Sequence, residues 1–357
     1  MQVAPADRKP ALRTLPPTFW QHLLAAELTP HKVESVLATV HSTGLDPLTV
    51  LRTFPGLSPG EKLRLSRADM RAFDRVRADN VHLLTGEQLP DPASESFAAL
   101  FVHGDPELLE MPRVGIVGTR NCSTYGKAVA RKFAQALSEA GCLVVSGGAL
   151  GIDAEAHEGA LAGGGKTAIV VGSGVDVVYP AVHRPLFERV VQSGGLLISQ
   201  FAAGTKPASY RFLWRNRLVA ALSQVLLVVE APQRSGALST ASIAAELGQH
   251  VCVVPGSITH SGFRGSHGLI RDGAILVDHP DQVLEMLGLE RQNNASPAED
   301  LTQVQQTILD SLSDEPITPE KISEATGLEV VEILAELTDL EVYGWILRDG
   351  IGYAKAP

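Results

Sequence analysis

The stretch that decides the fold is Val114-Gly-Ile-Val-Gly-Thr-Arg120, which continues as Asn121-Cys-Ser-Thr-Tyr-Gly126. An apolar run rich in Val and Ile ends at Gly118, a polar turn follows, and a helical pattern covers 124–140. A strand that turns into a helix in this way aims backbone N–H groups and the positive helix end at one point, which favours an anion. Arg120 adds a charged, planar fork suited to phosphate. The stretch therefore predicts that the amides of 119–126 bind a phosphate of a nucleotide or a nucleic acid.

The same alternation of β-branched runs and helical patterns continues to residue 277. Seven runs are typical of buried strands: Val114–Gly118, Leu143–Gly147, Thr167–Gly172, Leu196–Gln200, Val225–Glu230, Val251–Gly256 and Ala274–Val277. Apolar strands that alternate with helices indicate a parallel sheet covered on both faces. We therefore predict an α/β core over 91–288, an extended Rossmann-like, doubly wound, mostly parallel sheet. Such folds bind ligands at the carboxyl ends of their strands, where Gly118, Gly147 and Gly172 lie.

The regions on either side of this core have other patterns. Residues 17–90 contain short helical patterns separated by Pro and Gly, and they predict a small helical domain similar to sterile-alpha-motif or helix-hairpin-helix modules. Residues 1–16 are rich in Pro and charge, which predicts a disordered N-terminus. The polar stretch 289–300 predicts a linker. Helical patterns and a hairpin with Asp349-Gly350 as its turn predict a winged-helix-like domain over 301–357.

The helical pattern over 329–341 is acidic. It contains no Lys or Arg, and its acidic residues are Glu329, Glu332, Glu336, Asp339 and Glu341. A helix in a DNA groove is surrounded by phosphate charge, so this helix would be repelled. We expect this domain to bind a protein partner or to regulate access to the basic face, rather than to read a groove.

Charge and cysteine content limit the class of protein. The net charge of the chain is −10, but residues 286–357 carry 4 basic and 14 acidic residues and account for all of it. Residues 111–285 carry 15 basic against 12 acidic residues, so the predicted core is mildly basic. Three scattered cysteines fit neither a metal site nor a disulfide framework, which favours the reducing cytoplasm. No stretch has the length of a transmembrane helix or the apolar core of a signal peptide, so no membrane association is expected.

Three motifs suggest other chemistry but lack required features. Gly163-Gly-Gly-Lys-Thr167 lacks the first glycine of a nucleotide P-loop and follows a helix, whereas a P-loop follows a strand. Val171-Gly-Ser-Gly174 lacks the third glycine of a dinucleotide fingerprint. Asp153 and His157 share a helix face, but no third ligand lies nearby, so we expect helix capping and local hydrogen bonding. No metal and no cofactor are predicted.

Three further segments are candidates for nucleic-acid contacts. Ser146-Gly-Gly148 is a glycine-rich turn before a helix, and Ser235-Gly236 begins a third strand-loop-helix unit. The segment Arg211-Phe-Leu-Trp-Arg-Asn-Arg217 holds three arginines and two aromatic residues, a combination suited to single-stranded nucleic acid. Its aromatic residues equally fit a packed core. Lys166 lies at the amino edge of the third predicted strand, where a solvated lysine is an equally good interpretation.

Several long motifs in order resemble the DprA/Smf family, the DNA-processing proteins of natural transformation. The matching motifs are Val117-Gly-Thr-Arg-x-x-Ser-x-Tyr-Gly126, Ser146-Gly-Gly-Ala-x-Gly-Ile-Asp-x-x-x-His157, Gly172-x-Gly-Val-Asp-Val-Val-Tyr-Pro180, Arg215-Asn-Arg217, Ser235-Gly-Ala-x-x-Thr240 and Val254-Pro-Gly256. The resemblance implies a core that binds single-stranded DNA, forms a homodimer through that core and recruits the RecA recombinase. It also implies that residues matching Arg120, Lys166 and the Arg215–Arg217 segment contact DNA in one basic pocket.

The expected function is therefore that of a recombination mediator without its own chemistry, which protects incoming single-stranded DNA and loads RecA. The expected DNA contacts are Gly118, Thr119, Arg120, Ser123, Tyr125, Gly126, Ser146, Gly147, Gly148, Lys166, Arg215, Asn216, Arg217, Ser235 and Gly236. The alternative is a nucleotide-binding enzyme or sensor related to nucleotide phosphoribohydrolases, with Glu230 and Glu246 beside the phosphate loop. The carboxylates show no clear acid–base pairing that would favour this alternative.

Overall fold

A computed structural model describes the chain over residues 15–67, 80–85, 88–289, 301–342 and 345–355. The chain forms two compact units, Met1–Arg291 and Gln292–Pro357. The predicted disordered N-terminus (1–16) and linker (289–300) lie outside the described residues, apart from residues 15, 16 and 289.

Four short helices open the first unit. They are α1 (Pro17–Ala26), α2 (Pro30–Thr43), α3 (Pro47–Thr53) and α4 (Pro59–Ser66). Each has proline in its first turn, where the missing N–H costs no hydrogen bond. Helix α4 also has a capping box, in which Ser58 and Glu61 each accept from the other's backbone N–H. Phe19, Trp20 and Leu51 are buried between these helices, as the helical pattern predicts.

A nine-stranded sheet forms the centre of the first unit. Its strands are β1 (Val81–Thr85), β2 (Ala99–His103), β3 (Arg113–Val117), β4 (Leu143–Gly147), β5 (Thr167–Val170), β6 (Leu196–Ser199), β7 (Val225–Val228), β8 (His250–Val253) and β9 (Ile275–Leu276). Their spatial order is β1-β2-β6-β5-β4-β3-β7-β8-β9. Strands β3 to β9 are parallel to one another, and at one edge β2 pairs antiparallel with both β6 and β1. The predicted mostly parallel α/β fold is confirmed.

Helices cover both faces of this sheet. They are α5 (Ala93–Ser96), α6 (Thr124–Glu139), α7 (Ile152–Ala162), α8 (Arg184–Gln192), α9 (Ser209–Leu222), α10 (Gly236–Glu246), α11 (Arg264–Arg271) and α12 (Pro280–Met286). Leu218 of α9 packs in the hydrophobic cluster on one face, and Phe133 of α6 packs with Ile152 of α7 in the cluster on the other. Because both faces are covered, ligands have access to the sheet at the loops beyond the strand ends.

The boundary predicted between the helical domain and the core at residues 90 and 91 stays a prediction, but the sheet already includes a strand before it. Strand β1 begins at Val81 and pairs with β2 over five residue pairs, from Val81↔His103 to Thr85↔Ala99. The strand was missed because its apolar residues lie at an antiparallel sheet edge, outside the strand–helix alternation. The helices also pack on the core itself, since Glu27 after α1 forms an ion pair of 2.6 Å with Arg211 of α9.

The second unit has the predicted winged-helix plan. Its elements are α13 (Gln303–Ser311), α14 (Pro319–Thr326), α15 (Val330–Val342), β10 (Ile346–Asp349) and β11 (Gly352–Lys355). Ile308, Ile322, Ile333 and Ile346 are buried at its centre. The hairpin turn falls at residues 350–351, one position later than predicted, because Asp349 already pairs with Gly352.

No helix in the described parts of either unit combines the length and the apolar character that crossing a bilayer requires.

Helices α6 and α7 approach each other at Gly159. A Cβ atom at this position would contact the carbonyl oxygen of Arg131 and lie 2.8 Å from its Cα. Both of these are backbone atoms of α6 and cannot rotate away. The close approach therefore depends on the absence of a side chain at residue 159.

We expect Gly159→Ala to lower the free energy of unfolding by about 1–3 kcal/mol, because overpacking outweighs the roughly 1 kcal/mol that alanine gains over glycine in a helix. Urea unfolding measures the change. Gly268→Ala in α11 is the matched control, since the nearest atom to its added Cβ is the flexible end of Arg271 at 3.8 Å. This control should gain about 0.5–1 kcal/mol. Equal effects of the two substitutions would contradict the close approach of α6 and α7.

Candidate nucleic-acid interface

The turn after β3 is organised by a buried carboxylate from the neighbouring strand. Glu230 follows β7 and is 1% exposed. Its Oε2 accepts hydrogen bonds from the amide of Ser123 at 2.9 Å and from the hydroxyl of Ser123 at 2.7 Å. Its carbonyl oxygen accepts from the amide of Thr119 at 2.8 Å. A carboxylate is stabilised at the positive end of a helix, so Glu230 neutralises the N-terminus of α6 from inside the protein.

Four amides of the turn therefore have acceptors within the protein. Besides Thr119 and Ser123, the amide of Asn121 donates to the hydroxyl of Thr119, and the amide of Gly126 donates to the hydroxyl of Ser123. The prediction that the amides of 119–126 bind a phosphate stays a prediction, and for these four residues a phosphate would compete with hydrogen bonds inside the protein. Gly126 is needed for another reason, since a Cβ there would contact Oε2 of Glu230. The turn instead presents the exposed side chain of Arg120.

Arg120 borders a small pocket beyond the carboxyl ends of β4 and β5. The pocket has a volume of about 70 Å³ and is lined by Arg120, Gly148, Ala149, Leu150, Val170, Val171, Gly172, Tyr179, Pro180, Phe212 and Arg215. The guanidinium carbon of Arg120 lies 5.7 Å from the centre of the Phe212 ring. The ring of Tyr179 lies 5.4 Å from that of Phe212. A cation beside two partly exposed aromatic rings can bind a phosphate and stack an unpaired base.

Arg215 is a second cation in the lining of this pocket, on its buried side. It is 6% exposed, and its Nη1 lies 3.4 Å from Oδ2 of Asp153 and 3.4 Å from the carbonyl oxygen of Val170. Its buried Nε has no hydrogen-bond partner among the described residues. Burial lowers the pKa of Arg215 and raises the pKa of Asp153, and the attraction between the two charges opposes both shifts. The pocket therefore has an incompletely bonded guanidinium in its wall.

The glycine-rich turn after β4 shapes the pocket. Ser146 is fully buried, and its hydroxyl donates to the carbonyl oxygen of Ile116 at 2.5 Å. A Cβ at Gly147 would collide with Nη1 of Arg215, and one at Gly148 would lie 2.7 Å from the ring of Phe187. The side chain of Ser146 lies inside the sheet, and its expected contact with DNA stays a prediction. The absence of a side chain at Gly147 makes room for Arg215, and its absence at Gly148 makes room for Phe187.

Lys166 lies at the opposite edge of the sheet from Arg120. It precedes β5, and Thr167 at the start of β5 pairs with Val144 near the start of β4. Its Nζ donates to the carbonyl oxygen of Ser193 at 2.5 Å. The expectation that Lys166 joins Arg120 in one pocket is wrong, because a residue before a parallel strand lies at the amino edge while ligand-binding loops follow the strands.

The arginines of α9 also diverge. Arg215 and Arg217 are two residues apart, which on a helix turns their side chains to nearly opposite sides. Arg217 is exposed and lines an apolar groove of about 670 Å³ between α9, α10 and the N-terminal helices, together with Trp214 and Ile243. Asn216 faces the start of α10, with its Nδ2 3.5 Å from the carbonyl oxygen of Gly236. The expected convergence of both arginines on one pocket is wrong.

The remaining expected contacts have identifiable structural partners. Ser235 caps α10 and accepts from the amide of Ala237 at 3.2 Å, and Gly236 is the first residue of that helix. The hydroxyl of Tyr125 donates to the carbonyl oxygen of Pro255 at 3.0 Å, while its ring stays 38% exposed. Gly118 lies against Ile152, where a Cβ would be 2.8 Å from the Cβ of that residue.

Two aromatic residues and a histidine at the site were not among the expected DNA contacts. Tyr179 and Phe212 form its aromatic wall, and Nδ1 of His183 donates to the carbonyl oxygen of Gly148 at 3.1 Å. Tyr179 and His183 lie on the segment that follows β5, so the rule that ligands bind beyond strand ends could have found them. Phe212 belongs to the segment 211–217, whose arginines and aromatic residues the sequence analysis named as suited to single-stranded nucleic acid.

His157 is buried away from the pocket. Its Nε2 donates to the carbonyl oxygen of Gly147 at 2.9 Å, and its Nδ1 lies 2.7 Å from the hydroxyl of Thr167. The expected local hydrogen bonding is confirmed. Burial lowers the pKa of His157 to about 4, which keeps the imidazole neutral. Across the described residues, no cluster of three or more His, Cys, Asp or Glu side chains could hold a metal ion.

The acidic helix of the second unit is α15. Glu332 and Glu341 are exposed on it, and Val331 beside them is 80% exposed. Its described residues include no Lys or Arg. The expectation that this helix does not enter a DNA groove stays a prediction.

We expect the stability of the protein to fall as the pH is lowered from about 6.5, the unfolded pKa of histidine, toward the folded pKa of about 4 for His157. Between these values the unfolded chain binds the proton and the folded chain does not. Urea unfolding across this pH range measures the slope. His157→Gln keeps a donor for the carbonyl oxygen of Gly147. It should reduce the slope of unfolding free energy against pH by the equivalent of up to one proton, and above pH 7 the unfolding free energy should not depend on pH. An unchanged slope would show that His157 titrates normally when folded.

Comparisons with known proteins agree with this geometry. The family model for DNA recombination-mediator protein A matches residues 87–288, and the model for the DprA winged helix domain matches residues 292–350. The putative DNA processing protein DprA of Mycobacterium tuberculosis is 38% identical over 283 residues, which are 74% of this chain and 72% of that protein.

Two solved structures are also similar. The X-ray structure of DNA processing protein A from Streptococcus pneumoniae aligns with a TM-score of 0.63 and 32% identity, over 74% of this chain and 95% of that one. DNA processing protein A from Helicobacter pylori, whose structure concerns its single-stranded DNA binding mode, aligns with a TM-score of 0.51 and 31% identity, over 58% of this chain and 95% of that one. The chain belongs to the DprA family of DNA recombination-mediator proteins.

Proposed function

We propose that this protein binds single-stranded DNA beyond the carboxyl ends of its strands and acts as a recombination mediator in natural transformation. The observation that carries the proposal is the arrangement of Arg120 over Phe212, with Tyr179 beside that ring and Arg215 in the pocket wall. The Helicobacter pylori relative, named for its single-stranded DNA binding mode, supports the same ligand.

The geometry favours an unpaired base with its phosphate. Tyr179 is 45% exposed, so a base can stack on its ring at the mouth of the pocket. Arg120 then pairs with a neighbouring phosphate through its planar fork. A base in a duplex has both of its faces covered by its neighbours and offers no face to such a ring. This arrangement therefore selects single strands over duplex DNA.

The alternative of a nucleotide enzyme or sensor has less support. The pocket of about 70 Å³ is well below the roughly 300–1,000 Å³ of typical small-molecule sites. Glu230, the acidic residue nearest the turn, is buried and bonded to Ser123 rather than aimed into the pocket. We therefore propose that the protein performs no chemistry of its own.

The proposal includes protection of the incoming strand, loading of RecA, action in the cytoplasm and a homodimer formed through the core. Family membership supports these roles. A dimer would present two pockets to one strand, and the second contact would be intramolecular and so raise the overall affinity. Analytical ultracentrifugation with and without oligo-dT tests the dimer, and strand exchange by RecA on protein-coated DNA tests the loading.

We expect Arg120→Ala to weaken binding of a fluorescent oligo-dT about tenfold or more, because losing a charge-assisted contact costs roughly 1.5–3 kcal/mol. The slope of log affinity against log salt should fall by about 0.7 for each lost phosphate contact. Fluorescence anisotropy at two or more salt concentrations measures both quantities. Lys166→Ala is the matched control and should bind as the wild type does, since it removes a cation at the other edge of the sheet.

Two results would contradict the proposal. Absence of salt-sensitive oligo-dT binding by the folded wild-type protein would exclude the DNA function. Displacement of the oligonucleotide by AMP at low concentration would favour a mononucleotide site. If Lys166→Ala weakens oligo-dT binding as much as Arg120→Ala does, the DNA function stands, but the binding site is not the pocket beside Arg120.

A further inference from the structure

Five cations lie on five different segments that follow strands of the parallel sheet. They are Lys206 after β6, Arg184 after β5, Arg120 after β3, Arg234 after β7 and Arg264 after β8. The spatial order of these strands is β6-β5-β4-β3-β7-β8. The carboxyl ends of parallel strands meet at one edge of a sheet, so the five side chains form a row across that edge. The segment after β4, between Arg184 and Arg120, supplies the floor of the pocket.

These five cations are not neutralised within the protein. All five side chains are exposed, and none has a carboxylate within 4.0 Å in the described part of the chain. Some cations on helices elsewhere in the unit are paired, namely Arg131 with Glu155, Arg189 with Glu158 and Arg211 with Glu27. Lys127, Arg217 and Arg271 are exposed and have no ion pair among the described residues. The five cations that follow the strands are therefore available to an external anion.

The acidic groups at this edge lie inside the protein or near the ends of the row. Asp153 and Glu230 are buried and bonded to Arg215 and Ser123. Asp176 accepts from the amide of Gly204 at the β6 end, and Asp278 follows β9 beyond the β8 end. Apart from Asp176 at the β6 end, the exposed charges of the row are thus positive from β6 to β8.

Aromatic rings accompany the row at two places. Tyr179 and Phe212 lie beside Arg120 in the middle. On the β8 side, the exposed ring of Tyr125 packs against Phe263, the residue before Arg264, at 5.8 Å between ring centres. Cations that follow a backbone and rings that stack bases are the two parts of sites that bind single strands without reading their sequence.

We propose that the carboxyl edge from Lys206 to Arg264 is a phosphate track that holds one continuous single strand across the sheet. The inference rests on the proposed DNA function and adds the course of the strand and Arg184, Lys206, Arg234 and Arg264 as contacts. Five strand spacings of about 4.8 Å make the track about 24 Å long. That length matches about seven phosphates of a strand stacked as in B-DNA, at about 3.4 Å each, and fewer of an extended strand.

The test compares Arg234→Ala/Arg264→Ala with the wild type on two lengths of labelled oligo-dT by anisotropy. One oligonucleotide has about four nucleotides and covers only the region of the pocket, and the other has about twenty and covers the track. On the long strand, we expect the double variant to bind more weakly and the salt slope to fall by about 1.4, or 0.7 for each lost contact. On the short strand, we expect the variant to match the wild type.

The control variant is Arg271→Ala/Lys166→Ala, which also removes two cations. Arg271 ends the helix that Arg264 begins, and Lys166 precedes β5, so both lie toward the amino edge. We expect this variant to bind both lengths as the wild type does. Thermal unfolding of both double variants confirms that each is folded.

The outcomes separate the two proposals. If the wild type binds neither length, the DNA function itself fails. If the wild type binds but the Arg234/Arg264 variant keeps its affinity and salt slope on the long strand, the track is overturned and the pocket stands. An equal loss in the control variant would also overturn the track, as would equal affinity and slope for a duplex of the same length.

Discussion

The hydrogen bonds between Glu230 and Ser123 are the contact on which the site depends. A carboxylate at the end of β7 fixes the turn after β3, which lies 107 residues earlier in the chain. The carboxylate of Glu230 also lies close to the backbone at two glycines, since a Cβ at Gly126 or Gly262 would contact one of its oxygens. A hydrogen bond to a charged group contributes about 1.5–3 kcal/mol, so these bonds hold the turn that carries Arg120.

Because Glu230 occupies the positive end of α6, the turn presents side chains rather than a ring of backbone amides to the outside. This separates the protein from nucleotide-binding folds in which a helix N-terminus holds a phosphate. Asp153 likewise acts from inside the protein. Its buried ion pair with Arg215 keeps that cation in the pocket wall, while the carboxylate of Asp153 itself stays buried. Buried acidic residues thus hold basic side chains in place along one edge of the sheet, although the net charge of the chain is −10.

Helix α9 joins this edge to the N-terminal helices. Arg211 in its first turn pairs with Glu27, Phe212 and Arg215 reach the pocket, and Arg217 faces the apolar groove. Four neighbouring side chains therefore serve three surfaces, which is possible because a helix turns about 100° per residue. The ion pair of Arg211 with Glu27 thus attaches the first turn of α9, which also carries Phe212, to the N-terminal helices.

The sequence by itself determined the parallel sheet, its carboxyl edge and the place of Arg120 on it, because strand and helix periodicities are local properties. The order of chain elements alone already put Lys166 at the amino edge, and only the family resemblance argued otherwise. The tertiary structure decided that Glu230 lies under the turn, that Arg215 points inward while Arg217 points away, and that Phe212 meets Tyr179. These contacts join residues far apart in the chain, and their geometry depends on how each helix is rotated on the sheet, which no local pattern encodes.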